Sequence, residues 1–68
     1  MADEVVYKNT GYNERLGCYL VDEYRNGART YTFKAYIKGN KATLYPYRPV
    51  YTTWFKRDKI ELSIFDLK

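Results

Sequence analysis

Two turn-forming dipeptides, Asn26-Gly27 and Gly39-Asn40, constrain the fold of this chain more than any other feature. Asn-Gly supplies both positive-φ positions of a type I′ hairpin turn, and glycine in first place suits a type II′ turn. The residues around both dipeptides alternate with the period of a β-strand, while helical periodicity is weak throughout. The sequence therefore predicts three antiparallel strands joined by two tight turns.

The three predicted strands are residues 16–25, residues 28–38 and residues 41–47. The third strand is expected to end at Pro46 and Pro49, because proline cannot donate a hydrogen bond within a paired sheet. These strands form a meander in which each one pairs with the next along the chain.

The two turns set the register between the strands and so decide which side chains share a face. The first turn places Leu20 opposite Phe33, Cys18 opposite Ala35 and Leu16 opposite Ile37; the second places Ile37 opposite Ala42 and Ala35 opposite Leu44. The predicted apolar face consists of Leu16, Cys18, Leu20, Phe33, Ala35, Ile37, Ala42 and Leu44. The predicted polar face consists of Tyr19, Val21, Glu23, Thr32, Lys34, Tyr36, Lys38, Lys41, Thr43, Tyr45 and Tyr47.

The segments outside the meander must cover its apolar face. Residues 5–8 and residues 60–64 read as further strands, and a loop is expected at residues 9–13. Residues 52–56 fit either a strand or one short helical turn. The predicted fold is one all-β domain spanning residues 1–68, an antiparallel meander curled into a five-stranded sheet or an SH3-like or OB-like barrel.

Charge is distributed unevenly along the chain, whose net charge is +4. Residues 25–57 contain eight Lys and Arg residues, eight aromatic residues and no acid, whereas the segments on either side are net acidic. Basic residues interleaved with aromatic ones are typical of a surface that attracts phosphates and stacks on bases, or of one that docks on an acidic protein surface.

The polar face of the meander is the candidate site. Tyr36 and Tyr45 are expected to be neighbours in adjacent strands, flanked by lysines, and the Trp54-Phe55 pair would point one ring inward and one outward. The candidate binding residues are Lys34, Tyr36, Lys38, Lys41, Tyr45, Tyr47, Trp54, Lys56 and Arg57. The alternative is purely structural, because tyrosine and threonine are strong strand formers and cross-strand Tyr–Lys pairs stabilise exposed sheets that bind nothing.

The sequence argues against catalysis. Histidine is absent, Cys18 is the only cysteine, and the adjacent acids Asp22 and Glu23 should point to opposite faces of a strand. We therefore expect no enzyme activity, no catalytic residue, no metal site, no cofactor and no internal disulfide. No apolar stretch has the length of a signal peptide or membrane span, which predicts a cytoplasmic protein without membrane attachment.

The function expected from these features is that of a small, non-catalytic binding protein. Its basic, tyrosine-rich face would dock on an acidic surface of a larger protein. Such a chain is typical of the inhibitors with which phages and other mobile elements block nucleic-acid-handling or defence enzymes. The alternative is a module that binds single-stranded nucleic acid through the same Lys and Tyr residues. Homodimerisation through a strand edge or the aromatic face is a third hypothesis.

Overall fold

Five antiparallel strands pair in chain order in the computed structural model, which describes residues 4–49 and 58–68. The strands are β1 (Val5–Asn13), β2 (Cys18–Arg25), β3 (Ala28–Lys38), β4 (Lys41–Pro49) and β5 (Ile60–Ser63), followed by one turn of 3-10 helix, η1 (Ile64–Asp66). The sheet curls into a half-barrel, which confirms the predicted all-β class and the five-stranded antiparallel meander. The strand or helical turn predicted at residues 52–56 lies outside the described residues.

Both predicted turns form. Asn26 and Gly27 have φ angles of 52° and 85°, the pair of positive values that a type I′ turn requires. Gly39 has a φ of 61°, as expected for the first position of a type II′ turn. The β3–β4 register that follows from the second turn is confirmed, with Ile37 opposite Ala42.

The register between β2 and β3 differs from the prediction by one residue. The strands pair as expected next to the turn, but a β-bulge at Thr30 shifts the register between Tyr24 and Glu23. The hydroxyl of Thr30 donates to the backbone oxygen of Glu23 at 3.3 Å and to its Oε1 at 2.9 Å. Beyond the bulge Val21 lies opposite Phe33, so the predicted pairing of Leu20 with Phe33 is wrong.

This shift exchanges the two faces of β2. Tyr19 lies opposite Ala35, so the predicted pairing of Cys18 with Ala35 is also wrong. Pairing between β2 and β3 ends at Tyr19 and Ala35, so the predicted pairing of Leu16 with Ile37 is not formed either. Tyr19, Val21 and Glu23 therefore belong to the core face, while Cys18, Leu20 and Asp22 belong to the face that carries Lys34 and Tyr36. A one-residue shift has this effect because successive side chains of a strand alternate between faces.

Two strands are longer than predicted. The expected loop at residues 9–13 is part of β1, which continues after a bulge between Asn9 and Gly11, where the φ of Gly11 is 121°. Strand β4 continues through Pro46, which lies opposite Phe33, to Pro49. Because β5 pairs only with residues 41–44 of β4, Pro46 lies beyond β5, at an edge where proline is tolerated.

The core is small and lies inside the curl of the sheet. Its buried cluster consists of Val21, Phe33, Ala35, Ala42 and Leu44. Partly buried apolar and tyrosine side chains surround the cluster: Tyr7, Tyr19, Tyr31, Ile60, Leu62, Ile64 and Leu67. These surrounding residues come from β1, β2, β3, β5 and the C-terminal residues. Strand β4 contributes Ala42 and Leu44 to the buried cluster itself.

The C-terminal residues connect the β5 side of the sheet to β1. The Ser63 hydroxyl caps the 3-10 helix by accepting a bond from the amide of Phe65 at 3.2 Å. Leu67 then forms a parallel bridge with Tyr7. The amide of Lys68 donates to the Tyr7 carbonyl at 2.8 Å, and the Asn9 amide donates to the Lys68 carbonyl at 3.2 Å.

Candidate binding surface

The outward side chains of β3 and β4 form one continuous surface. Lys34 lies opposite Tyr45, Tyr36 lies opposite Thr43, and Lys38 lies opposite Lys41. Together with Tyr47 these residues make the basic tyrosine face, which we define as Lys34, Tyr36, Lys38, Lys41, Tyr45 and Tyr47. Six of the nine predicted binding residues are thus brought together by the two strands. The other three, Trp54, Lys56 and Arg57, lie outside the described residues.

Tyr36 and Tyr45 form an exposed aromatic pair. Their ring centroids are 5.6 Å apart with an interplanar angle of 75°, an edge-to-face arrangement. The two residues remain 47% and 43% exposed. The pair therefore presents an exposed aromatic surface made of two rings in contact.

Two cations of the same chain contact the Tyr47 ring. It is the extra residue of a bulge between Pro46 and Arg48 in β4. The Nζ of Lys34 lies 4.9 Å from its ring centroid, and the guanidinium carbon of Arg48 lies 5.4 Å from it. Arg48 was not among the predicted binding residues. Its position next to Tyr47, within the acid-free residues 25–57, could have identified it as a candidate. The contacts hold both cations against an aromatic ring.

A shallow groove runs along this face. Its volume is about 640 Å³, and its walls come from β3 and β4. The lining residues are Lys34, Tyr36, Ile37, Lys38, Thr43, Tyr45 and Pro46. The groove combines apolar ring surface with three lysine ammonium groups at or beside it, so it suits a ligand that carries both negative charge and apolar area.

Cys18 lies on the same side of the sheet, next to Tyr36. It is buried, as expected, with 2% of its surface exposed, but it does not belong to the core cluster. Interaction with the Cys18 thiol raises the pKa of Tyr36 above its ordinary value of 10.0, and burial and Tyr45 add smaller effects in the same direction. Tyr36 therefore keeps its proton to a higher pH than an ordinary tyrosine does. Tyr19, which the sequence placed on the polar face, belongs to the core face and packs against Tyr12, with ring centroids 5.1 Å apart.

Two acids flank the basic tyrosine face. Glu61 of β5 lies opposite Thr43 and is exposed. Asp22 of β2 is buried, accepts a hydrogen bond from the Thr32 hydroxyl at 2.8 Å and lies 3.6 Å from a guanidinium nitrogen of Arg29. The acid-free run in the sequence thus gives an acid-free surface on β3 and β4 only, with one exposed carboxylate at its β5 border.

Metal ligands, paired acids and membrane-spanning helices are the other features that could indicate a function among the described residues. Residues 4–49 and 58–68 hold no group of three or more side chains placed to bind a metal ion. Asp22 and Glu23 have separate partners on opposite faces, as predicted, since Glu23 accepts from Tyr7 on the core face. Within these same ranges no helix is long and apolar enough to cross a membrane.

No protein-family model, curated protein or solved structure matches this chain. The inference of function therefore depends on the charges, rings and groove of the basic tyrosine face.

Proposed function

We propose that this protein is a non-catalytic binding module that docks its basic tyrosine face on an acidic surface of a larger protein. The observation that carries the proposal is the cluster of rings and cations in contact on β3 and β4. Tyrosine is among the residues most often found at the energetic centre of protein interfaces, because its ring supplies a large contact area at low entropic cost. Three exposed or half-exposed lysines complement a negative partner surface.

The ring geometry favours a protein partner over single-stranded nucleic acid. Bases bind such proteins by stacking on open aromatic faces. Here the Tyr47 ring is contacted by Lys34 and Arg48, and the Tyr36 and Tyr45 rings pack edge-to-face on each other. These contacts cover part of the ring faces and so reduce the open area on which a base could stack, whereas a protein surface can pack on the cluster as it stands.

Inhibition of an enzyme that handles nucleic acid is the form of this function that we favour. Such enzymes hold catalytic metal ions with clustered carboxylates, which create a local acidic surface. A small basic domain that covers that surface would exclude the substrate. This part of the proposal is an analogy of type with the small proteins by which phages and other mobile elements block host defence enzymes.

The test is a capture experiment with charge-reversed variants from nuclease-treated lysate. Lys38→Glu/Lys41→Glu reverses two charges on the face, and Arg15→Glu/Lys68→Glu reverses two exposed charges outside β3 and β4. Both variants lower the net charge from +4 to 0, so they are matched for non-specific attraction. We expect the wild type and the Arg15/Lys68 variant to retain one protein in stoichiometric amount, and the Lys38/Lys41 variant to lose it.

A second measurement separates the nucleic-acid alternative. Fluorescence anisotropy with a labelled oligothymidine should show at most weak binding by all three proteins. Two results together would contradict the proposal and favour the nucleic-acid module. The first is tight binding whose association constant falls by about 0.7 log units per phosphate contact for each tenfold rise in salt concentration. The second is loss of that binding in the Lys38/Lys41 variant.

A further inference from the structure

Strand β3 extends beyond its neighbour β2 next to the basic tyrosine face. Pairing between β2 and β3 ends at Tyr19 and Ala35, but pairing between β3 and β4 continues to Lys38 and Lys41. The last three residues of β3, residues 36–38, are thus paired with β4 on one side and have no strand partner on the β2 side among the described residues. Strand β2 begins at Cys18, so β3 extends past the end of β2, and a cleft lies between that end of β2 and residues 36–37.

The cleft is mainly apolar and has the size of one side chain. Its volume is about 200 Å³. Buried Cys18 and Ala35 lie at its base, and exposed Tyr12, Tyr36 and Ile37 line its rim. An apolar protein cavity of about 150 Å³ is large enough to bind benzene, so this cleft can take one aliphatic or aromatic side chain.

The cleft and the groove on the basic tyrosine face lie next to each other. Tyr36 and Ile37 line both of them. Lys38 lines the groove beside these two residues, and Lys41 lies opposite Lys38 in β4. A ligand that fills the cleft would therefore pass beside two ammonium groups as it continues into the groove.

We propose that the partner element is an extended acidic segment that places one apolar side chain in the cleft and its carboxylates against Lys38 and Lys41. This inference rests on the proposed function and names the chemistry that the face recognises. Charge complementarity selects an acidic segment, and the volume and lining of the cleft select a single apolar anchor. The unpaired side of residues 36–38 offers backbone groups to an extended chain, as in recognition by strand addition.

The experiment is selection from a displayed library of random twelve-residue peptides on the immobilised protein. For the wild type we expect enrichment of peptides in which one Leu, Ile, Phe or Trp is flanked by Asp or Glu. In a synthetic peptide made from an enriched sequence, replacing that apolar residue by Ala should weaken binding at least about tenfold, the factor expected for burial of one such side chain.

Three variants test the apolar anchor and the acidic flanks of the peptide separately. Ile37→Gln and Tyr12→Gln make the rim of the cleft polar from two different strands without changing the charge, so both should lose the apolar preference and keep the acidic one. Lys38→Glu/Lys41→Glu should lose the acidic preference and keep the apolar one. Circular dichroism and thermal unfolding identify variants that remain folded, and one folded rim variant is sufficient for the comparison.

The two possible failures are distinguishable. Acidic peptides without an apolar preference, or an apolar preference that persists in a folded rim variant, would overturn the anchor inference and leave the proposed function in place. An absence of acidic preference in the wild type, or its persistence in the Lys38/Lys41 variant, would overturn the proposed function and this inference with it.

Discussion

The carboxylate of Glu23 is fully buried on the core face, with hydroxyl groups on two sides and a guanidinium nearby. Tyr7 donates to it at 2.8 Å and Thr30 at 2.9 Å, and the Nε of Arg25 lies 3.5 Å from it. An ionised carboxylate is costly to bury unless hydrogen bonds and a nearby positive charge replace its hydration. These contacts therefore allow the carboxyl group of Glu23 to face inward from β2.

We predict that Tyr7→Phe destabilises the protein by about 1.5–3 kcal/mol, because it removes a hydrogen bond to a buried charged group while keeping the ring. Urea unfolding monitored by fluorescence measures the change. Tyr12→Phe is the matched control, since Tyr12 is exposed and its ring contact with Tyr19 is kept. We expect the control to change the free energy of unfolding by less than about 0.5 kcal/mol. Equal effects of the two substitutions would contradict the role assigned to Tyr7.

The position of Glu23 could not be predicted from its residue type. A glutamate in an amphipathic strand is expected to face solvent, because glutamate is almost never fully buried unless it is paired. Its partners Tyr7 and Thr30 come from β1 and β3, so the pairing exists only after three strands assemble. By contrast, Tyr36 and Tyr45 could be predicted as neighbours, because they lie on one hairpin whose turn alone sets the register.

At the scale of elements, the two hairpins were predictable to different extents. The alternating pattern in β3 and β4 separates Phe33 and Ala35 from the lysines without ambiguity, and the predicted register is confirmed. In β2 the pattern is ambiguous, since Cys18 and Leu20 alternate with Tyr19 and Val21, so either face could be buried. The bulge at Thr30 decides between the two registers.

We predict that Thr30→Val destabilises the protein by about 1–3 kcal/mol, because the isosteric side chain cannot donate to the buried Glu23 carboxylate. Thr43→Val is the control. Thr43 is a half-buried strand residue opposite Tyr36, and valine fits a strand at least as well as threonine, so we expect a change within about 0.5 kcal/mol. Chemical denaturation of the two variants under identical conditions gives both values.

The same pair of variants tests whether the bulge sets the register. Nuclear Overhauser contacts should place Val21 opposite Phe33 in the wild type and in Thr43→Val. If Thr30→Val keeps both this contact and the wild-type stability, the hydrogen bonds of Thr30 do not hold the bulge, and the sequence of the turn must fix the shifted register instead.

At the scale of the whole molecule, the need to cover the apolar face was predictable and the manner of closure was not. Residues 60–64 were expected to form a strand, but β5 ends at Ser63, whose side chain caps the 3-10 helix. That helix turns the chain so that Leu67 reaches β1, and a contact between residues so distant in sequence has no local signal. The all-β class could be predicted from the two-residue period of the apolar pattern. The closure of the sheet, in contrast, involves the Ser63 cap and the bridge between Leu67 and Tyr7.

A chain of 68 residues has a small core, so each contact that closes the curled sheet should contribute measurably to its stability. Leu67 packs against the core cluster, whereas Phe65 in the same turn is 78% exposed. We predict that Leu67→Ala lowers the free energy of unfolding by about 1–2 kcal/mol, less than for a fully buried leucine, and that Phe65→Ala leaves it nearly unchanged. Denaturant unfolding compares the two.

Hydrogen exchange shows whether this loss comes from opening of the sheet at β1. The amides of Asn9 and Lys68 are bonded across the closure and should be protected in the wild type and in Phe65→Ala. In Leu67→Ala both amides should exchange faster than those of β3, because the C-terminal residues then separate from β1 while the central strands stay paired. Equal acceleration throughout the sheet would mean that the closure is part of one cooperative unit, and the curled sheet would then not persist without its C-terminal bridge.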